Sequence, residues 1–305
     1  ITETAKALWY IYLGLTLACA LAYWGAGMSL FDAICHSFST IAIGGYSTHD
    51  ASIGYFDSHL IELIAIFFMF SAGINFALHF TAWRSNNWIV YVKDPEFRFY
   101  ASLMGLVAVL TMSVLYITDT YELSDAMVKG LFEVVSIATT TGFATADFTS
   151  WPFVLPFLLF LVAFVGGCAG STGGGMKAIR VLLIYKQGLR EVKRLIHPNA
   201  VIPVKLGKKP VPDRVIEAVW GFFSVYLFVF VILLLLLLAT GLDQVTAWSA
   251  VGASINNLGP GLGDVSIHYG DIPDTAKWIL CFAMLMGRLE IFTLLILFTP
   301  SFWRN

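Results

Sequence analysis

The chain has 305 residues, of which 58% are hydrophobic and 12% are charged, and its mean hydropathy is +0.79. Because soluble domains carry about a quarter charged residues, this composition argues against a soluble enzyme and predicts a protein that lies largely within a lipid bilayer. The formal net charge of −2 is small, so the placement of charges along the chain is more informative than their sum.

Three similar units follow one another along the chain. Each unit has a long apolar helix, a short segment, a loop of small residues and a second apolar helix. In this order the parts lie at 8–26, 30–39, 40–48 and 59–83 in the first unit, at 97–117, 124–138, 139–145 and from 151 onward in the second, and at 215–240, 244–256, 257–263 and 274–299 in the third.

The short segments are predicted to be half-helices that enter the membrane and turn back. A helix of about 10 to 15 residues rises roughly 15 to 22 Å, which is less than the hydrocarbon core of about 30 Å. Acidic residues flank each segment, whereas basic residues gather in the connections at 84–98 and 177–214. The positive-inside rule makes those two connections cytoplasmic, so both ends of each half-helix lie on the outer side.

The loops after the half-helices are predicted to line a pore, because non-helical backbone at membrane depth is tolerated only when it is buried in protein or lines water. Each loop has a glycine just past its half-helix, at Gly44, Gly142 and Gly259. Glycine permits positive φ, so neighbouring carbonyls can face one way, and rings of carbonyls can replace the hydration shell of a cation. A single loop is equally compatible with a plain turn, but three matching loops favour a shared pore axis.

A run of six glycines in ten residues, at 166–175, interrupts the apolar helix that starts after Trp151. Each glycine destabilises a helix by about 1 kcal/mol relative to alanine. The helix is therefore predicted to break inside the membrane and to form a flexible loop in the pore, below the ion filter that the carbonyls of the three loops would form. The run differs from a nucleotide-binding Walker loop because Lys177 follows the last glycine by two places. It is not a nucleophile elbow either, because that motif requires a glycine two residues before the nucleophile, and the residue two before Ser171 is Ala169.

Arg288 is predicted to lie near mid-membrane in the last helix, where a charge usually faces protein or water. The carbonyls of the 166–175 loop are suitable acceptors. A structural pair with Glu290 is the alternative, although residues two apart on a helix do not share a face.

The unit order, the loops IAIGGYS, TTTGFAT and NLGPGLG, and the run GGCAGSTGGGMK resemble the Trk/Ktr/HKT superfamily of potassium transporters over essentially the whole chain. The resemblance implies an all-α integral membrane fold of repeated, potassium-channel-like M1-P-M2 units around a single pore, multi-pass in the bacterial inner membrane. It divides the chain into repeats at 1–86, 87–190 and 215–305, with a broken M2 and gate loop at 166–175 and a cytoplasmic basic connector at 191–214. Members have four repeats, so we expect the family's first repeat to be missing from this chain.

The resemblance also assigns site residues, with Gly44, Gly142 and Gly259 as the filter glycines. The expected ion filter comprises Ala42, Ile43, Gly44, Gly45, Thr140, Thr141, Gly142, Phe143, Asn257, Leu258, Gly259 and Pro260, with K+ contacts at Ile43, Gly44, Thr141, Gly142, Leu258 and Gly259. The expected gate comprises Gly166, Gly167, Cys168, Ala169, Gly170, Ser171, Thr172, Gly173, Gly174, Gly175 and Arg288. The expected ion is K+ or Na+, and no organic cofactor or catalytic residue is expected.

The implied function is potassium uptake through a carbonyl-lined filter, gated by the glycine-rich loop and the arginine. A sodium- or proton-coupled symporter is the alternative, with Glu62, Glu133 and Glu290 as candidate titratable groups. An intramembrane enzyme is disfavoured because the sequence offers no paired acids, metal ligands or Ser/His arrangement. The implied partners are a second copy of the chain, a cytosolic nucleotide-binding (RCK-type) regulatory subunit and membrane lipid, but no nucleic acid. The basic connector is compatible with plain solvation, with docking of that subunit, or with anionic lipid.

Overall fold

Long apolar helices alternate with short ones in a computed structural model that describes residues 2–297 and 299–303. The first unit contains α1 (Thr2–Gly25), α2 (Leu30–Ile41), α3 (His59–Ala72) and α4 (Phe76–Ser85), followed by α5 (Ile89–Lys93). The second contains α6 (Pro95–Ile117), α7 (Leu123–Ala138), α8 (Leu155–Ala163) and α9 (Ala178–Ile196). The third contains α10 (Asp213–Ala239), α11 (Gln244–Ile255), α12 (Asp274–Arg288), α13 (Ile291–Leu297) and α14 (Pro300–Trp303).

The fold is an all-α integral membrane fold, as the sequence predicts. Among the described residues, α1, α6 and α10 are long and apolar enough to cross a membrane. If each of two bent helix pairs is counted as one span, the number of spans in this part of the chain rises to five. The strands that the structure describes are two residues each, Lys205–Leu206 paired antiparallel with Lys209–Pro210 in the connection before α10. Helix α9 continues to Ile196, so the boundary expected at residues 190 and 191 falls inside a helix.

Two helices that were predicted to be continuous are broken. The predicted helix 59–83 is divided into α3 and α4, which meet at 94°, and the predicted helix 274–299 is divided into α12 and α13, which meet at 110°. At the first break the carbonyl of Gly73 accepts the amide of Cys168 at 2.8 Å. At the second break Glu290 has a φ of 60° and its carboxylate pairs with Arg180 at 2.9 Å. Both breaks therefore exchange helical contacts for contacts with the 164–180 region.

Three half-helices, α2, α7 and α11, have 12, 16 and 12 residues. At 1.5 Å per residue they rise about 18 to 24 Å, which is too short to cross the bilayer. Two of them begin at a side-chain cap, since Ser29 accepts the amide of Asp32 and Asp243 accepts those of Val245 and Thr246. Hydrogen bonds from Thr246 and the backbone lower the pKa of Asp243 below its usual value, so this cap is an ionised carboxylate at neutral pH.

The units pack side by side in chain order, and the half-helices α7 and α11 each reach into the core of the preceding unit. Phe132 and Val135 of α7 are buried with residues of the first unit. Ala253 of α11 and Leu258 after it are buried with residues of the second unit. Gly252 of α11 makes this second junction possible, because a Cβ there would approach the ring of Phe160 to 2.7 Å. The junctions bring the ends of the three half-helices together.

We predict that Asp243→Ala lowers the melting temperature of the purified protein, because the first turn of α11 loses an acceptor for two amides. The expected loss is about 1 kcal/mol of unfolding free energy, typical of a removed N-cap. Asp243→Asn keeps an acceptor oxygen and is the matched control. Equal melting temperatures for the alanine variant and the unaltered protein in a fluorescence melt would contradict the capping role.

Candidate functional site

The loops that follow the three half-helices begin with the same backbone hydrogen bonds. The amides of Gly44, Thr141 and Leu258 each donate to the carbonyl five residues back, in every case at 2.8 Å. The amides of Ile43, Thr140 and Asn257 each donate to the carbonyl three residues back, at 3.0 to 3.2 Å. These bonds establish which residues are equivalent in the three units.

Two residues of each loop have positive φ, always two positions apart. They are Ile43 (53°) and Gly45 (67°), Thr140 (66°) and Gly142 (83°), and Asn257 (55°) and Gly259 (101°). The residue equivalent to Gly142 and Gly259 is therefore Gly45, and the expected equivalence of Gly44 is wrong by one position. The signal was present in the sequence, because Gly45-Tyr46-Ser47-Thr48 matches Gly142-Phe143-Ala144-Thr145 in pattern.

The three loops meet at one cavity. Its volume is about 420 Å³, and its lining includes Gly44 and Gly45, Thr141 and Gly142, and Leu258 and Gly259. Neighbouring loops touch through their glycines, since a Cβ at Gly45 would collide with the carbonyl oxygen of Thr141, and a Cβ at Gly142 with that of Leu258. A second cavity, of about 620 Å³, also touches all three loops and includes the acidic residues Asp50 and Asp147 in its lining.

The glycine-rich loop lies against the carboxyl ends of all three half-helices. Thr172 donates its hydroxyl to the carbonyl of Ile41, the last residue of α2, at 2.7 Å. A Cβ at Gly173 would approach the carbonyl oxygen of Thr139, just after α7, to 2.9 Å. A Cβ at Gly174 would collide with the carbonyl oxygen of Asn256, just after α11. Three consecutive residues of this loop thus contact three different units.

Polar contacts from the first and second units hold the same loop. The break between α3 and α4 frees the carbonyls of Ala72 and Gly73, which accept the amides of Thr172 and Cys168. The carboxylate of Glu96, in the first turn of α6, accepts the amide of Ala169 at 2.6 Å and that of Ile179 at 3.2 Å. Glu96 is 8% exposed. This role of Glu96 was not predicted from the sequence, because Ala169 and Ile179 lie more than 70 residues further along the chain.

Arg288 reaches the glycine-rich loop, as the sequence predicts, but its side chain is exposed to a cavity of about 330 Å³. Its guanidinium donates to the carbonyl of Thr172 at 3.4 Å. The Lys177 ammonium donates to the next carbonyl, that of Gly173. The alternative partner of Arg288, Glu290, instead pairs with Arg180. The loop is thus held by two cations on adjacent carbonyls, and the sequence indicated only one of them.

Just past Gly45, Gly142 and Gly259, each half-helix holds the following chain with a different buried side chain. His36 contacts the Ser47 hydroxyl at 2.9 Å, and Glu133 accepts the Thr145 amide at 2.8 Å. Ser249 accepts the amide of Leu262 at 2.8 Å and donates to its carbonyl at 2.9 Å. The structure buries His36 completely behind the first loop.

Comparison with known proteins identifies close relatives. A family model described as TrkH, cation transport protein, matches residues 1–305. The chain is 62% identical over 305 residues to the Trk system potassium uptake protein TrkH of Halomonas elongata, covering 100% of this chain and 63% of that protein. It is 54% identical over 306 residues to the Escherichia coli K12 protein of the same name, again covering 100% and 63%. The chain therefore spans about 63% of the length of these curated relatives.

A solved structure is also similar over nearly the whole chain. The crystal structure of the potassium transporter TrkH from Vibrio parahaemolyticus matches with a TM-score of 0.95 and 57% sequence identity. The match covers 99% of this chain and 65% of that chain.

We predict that Gly45→Ala lowers the melting temperature much more than Gly44→Ala. A Cβ at Gly45 would combine positive φ with a collision against the neighbouring loop, whereas a Cβ at Gly44 would meet its nearest atom at 3.4 Å. Backbone strain of this kind costs about 1 to 3 kcal/mol. A fluorescence melt of both variants makes the comparison, and a greater loss for Gly44→Ala would contradict the assigned equivalence.

Proposed function

Because the chain belongs to the TrkH family of cation transport proteins, we propose that it forms part of a pore for potassium uptake across the plasma membrane. The observation that carries this proposal is the loop backbone, which repeats the same hydrogen bonds and the same two positive φ angles around one cavity. The names of the relatives from Halomonas elongata and Escherichia coli, which are potassium uptake proteins, support potassium as the ion.

Selectivity in this proposal comes from backbone carbonyls. Alternating positive φ turns successive peptide units, so that carbonyls of adjacent residues can face one side of an extended segment. A dehydrated K+ would take its ligands from Gly44, Thr141 and Leu258 and from the glycine that follows each, with Ile43 as a further ligand. The half-helix ends would add partial negative charge towards the axis, which favours a cation.

The glycine-rich loop at 166–175 is proposed to be the gate. It fills the space at the carboxyl ends of the half-helices, where an ion leaving the filter would pass. Lys177 and Arg288 would hold it closed by binding adjacent carbonyls and would also repel a cation. Opening would exchange these contacts for water, which the 330 Å³ cavity beside the loop can supply.

Coupled symport with sodium or protons is the second candidate function. The observation that favours it is Glu62 on α3, which is 4% exposed and has a carboxylate oxygen without a hydrogen-bond partner in the described residues. A buried acid in a membrane protein is often part of a proton or ion path. Channel-like uptake remains the first proposal, because the three loops support it directly.

We further propose that the protein acts in the bacterial inner membrane as a homodimer with a cytosolic nucleotide-binding (RCK-type) regulatory subunit. The feature that supports a regulatory contact is α9, which is separated from the gate loop by two residues and continues for 19 residues. A displacement of this helix would pull on the loop directly. The basic residues of α9 and of the 197–212 connection would also suit anionic lipid headgroups.

We predict potassium-selective flux in liposomes that contain the protein as it is made in the cell. Uptake of 86Rb+ or K+ should exceed uptake of Na+ and should persist without any sodium or proton gradient. Gly45→Ala should lower this flux by at least about tenfold, since a distortion costing 1.4 kcal/mol changes a rate tenfold, while Gly44→Ala lowers it less. Flux that requires a sodium or proton gradient would instead favour symport, and absence of selective flux would refute the pore.

We predict that Arg288→Ala and Lys177→Ala each increase cation flux, and that both together increase it further, because each removes one contact on the gate loop. Deletion of 166–175 should have the largest effect. Arg84→Ala is the control, because it removes the same positive charge from the last turn of α4, which is distant in sequence from the gate loop. Unchanged or lower flux from variants whose melting curves remain cooperative would count against the gate.

A further inference from the structure

The chain segment just outside the second filter glycine is held more completely than a surface loop requires. Ser136 donates its hydroxyl to the carbonyl of Phe143 at 2.6 Å. The amide of Ala144 donates to the Ser52 hydroxyl at 3.2 Å, and its carbonyl accepts the amide of Gly54 at 3.1 Å. The next two amides both point to one acceptor, the side chain of Glu133.

Glu133 is 1% exposed and uses one oxygen for three contacts. Its Oε1 accepts the amide of Thr145 at 2.8 Å, the amide of Ala146 at 3.1 Å and the hydroxyl of Thr145 at 3.4 Å. A buried amide that loses its acceptor is costly. Glu133 therefore fixes the position at which the chain leaves Gly142.

The first unit has a buried polar residue at the position equivalent to Glu133, but its side chain is chemically different. Glu133 is nine residues before Gly142, and His36 is nine residues before Gly45. His36 is 0% exposed and donates through Nδ1 to the carbonyl of Asp32 at 2.8 Å, which leaves Nε2 to accept the hydroxyl of Ser47 at 2.9 Å. One position of the half-helix thus serves in two units to hold the chain beyond the filter.

We infer that Glu133 is a positioning residue for ion selection, which sets the second filter loop by the reach of its Oε1 to the amides of Thr145 and Ala146. The inference rests on the proposed pore function. Glu133 does not touch the permeating ion and acts through the backbone of residues 142–146. A filter discriminates between cations of equal charge through the positions of its carbonyls, so release of this segment relaxes selectivity before it stops flux.

Reach and ionisation can be separated at this position. Glu133→Gln keeps a side-chain oxygen at the same distance from the backbone and replaces the ionisable carboxyl group by an amide. Glu133→Asp keeps the carboxyl group and withdraws both oxygens by one methylene group. If Glu133 acted instead as a charge that attracts cations or as a proton carrier, aspartate would be the better replacement.

The experiment measures K+ and Na+ uptake in liposomes with the protein as it is made in the cell. Glu133→Asp should lower the K+/Na+ uptake ratio by roughly tenfold, the consequence of losing about one buried hydrogen bond, while K+ uptake itself continues. Glu133→Gln should retain the ratio. Glu122→Asp shortens the same type of side chain just before α7, where it makes no capping hydrogen bond, and is the matched control.

The outcomes distinguish this inference from the proposed function. If the unaltered protein does not prefer K+, the pore proposal fails first. If the unaltered protein prefers K+ and the Glu133→Asp protein prefers it equally, the positioning role is overturned. It is also overturned if the Glu133→Gln protein loses the preference for K+. If melting and size exclusion show that Glu133→Asp does not fold, Glu133→Ala is measured in its place and is expected to lower the K+/Na+ uptake ratio in the same way. The inference then still requires that the Glu133→Gln protein folds and keeps the full K+ preference.

Discussion

Every part of the site depends on one constraint, that a peptide amide or carbonyl inside the hydrocarbon core must have a partner. The last carbonyls of the half-helices have no helical partner. Other interrupted backbone supplies partners. Thr172 of the glycine-rich loop donates to Ile41, and the break after α3 offers carbonyls to the amides of Cys168 and Thr172. The helix breaks therefore gather around the loops that follow the half-helices, because each one satisfies groups that another leaves open.

The same constraint would allow the proposed gate to lie beside the proposed filter without a separate domain. Carbonyls that are not committed to a helix attract cations, whether the cation is a mobile ion or a tethered side chain. Lys177 and Arg288 donate to the carbonyls of Gly173 and Thr172, so the glycine-rich loop is held by the type of contact that an ion would make in the proposed pore. Hydrogen bonds of this kind have a small net free energy, about 0.5 to 3 kcal/mol each. A few of them can hold a loop and still be exchanged for water.

Much of the fold is predictable from the sequence, because hydropathy over 20 residues does not depend on the rest of the chain. Helices α1, α6 and α10 lie where the apolar runs are. The breaks after Ala72 and Arg288 were not predicted, since both interrupt apolar sequence without proline and are stabilised by groups from the region of residues 164–180. The filter register was misassigned by one residue because glycine alone cannot distinguish Gly44 from Gly45. The residues that follow them carry the distinction.

The tethering side chains show which features of the site the units share. The backbone of the three loops is the same in hydrogen bonds and in φ, yet a histidine, a carboxylate and a hydroxyl hold the chain beyond it, through His36, Glu133 and Ser249. Repeats within one polypeptide can differ in side chains, because in the proposed pore an ion would contact only the carbonyls. What each unit must supply is a buried acceptor or donor of the correct reach. The shared feature of the three loops is consequently their backbone, and the side chains behind it determine how firmly each unit keeps that backbone in place.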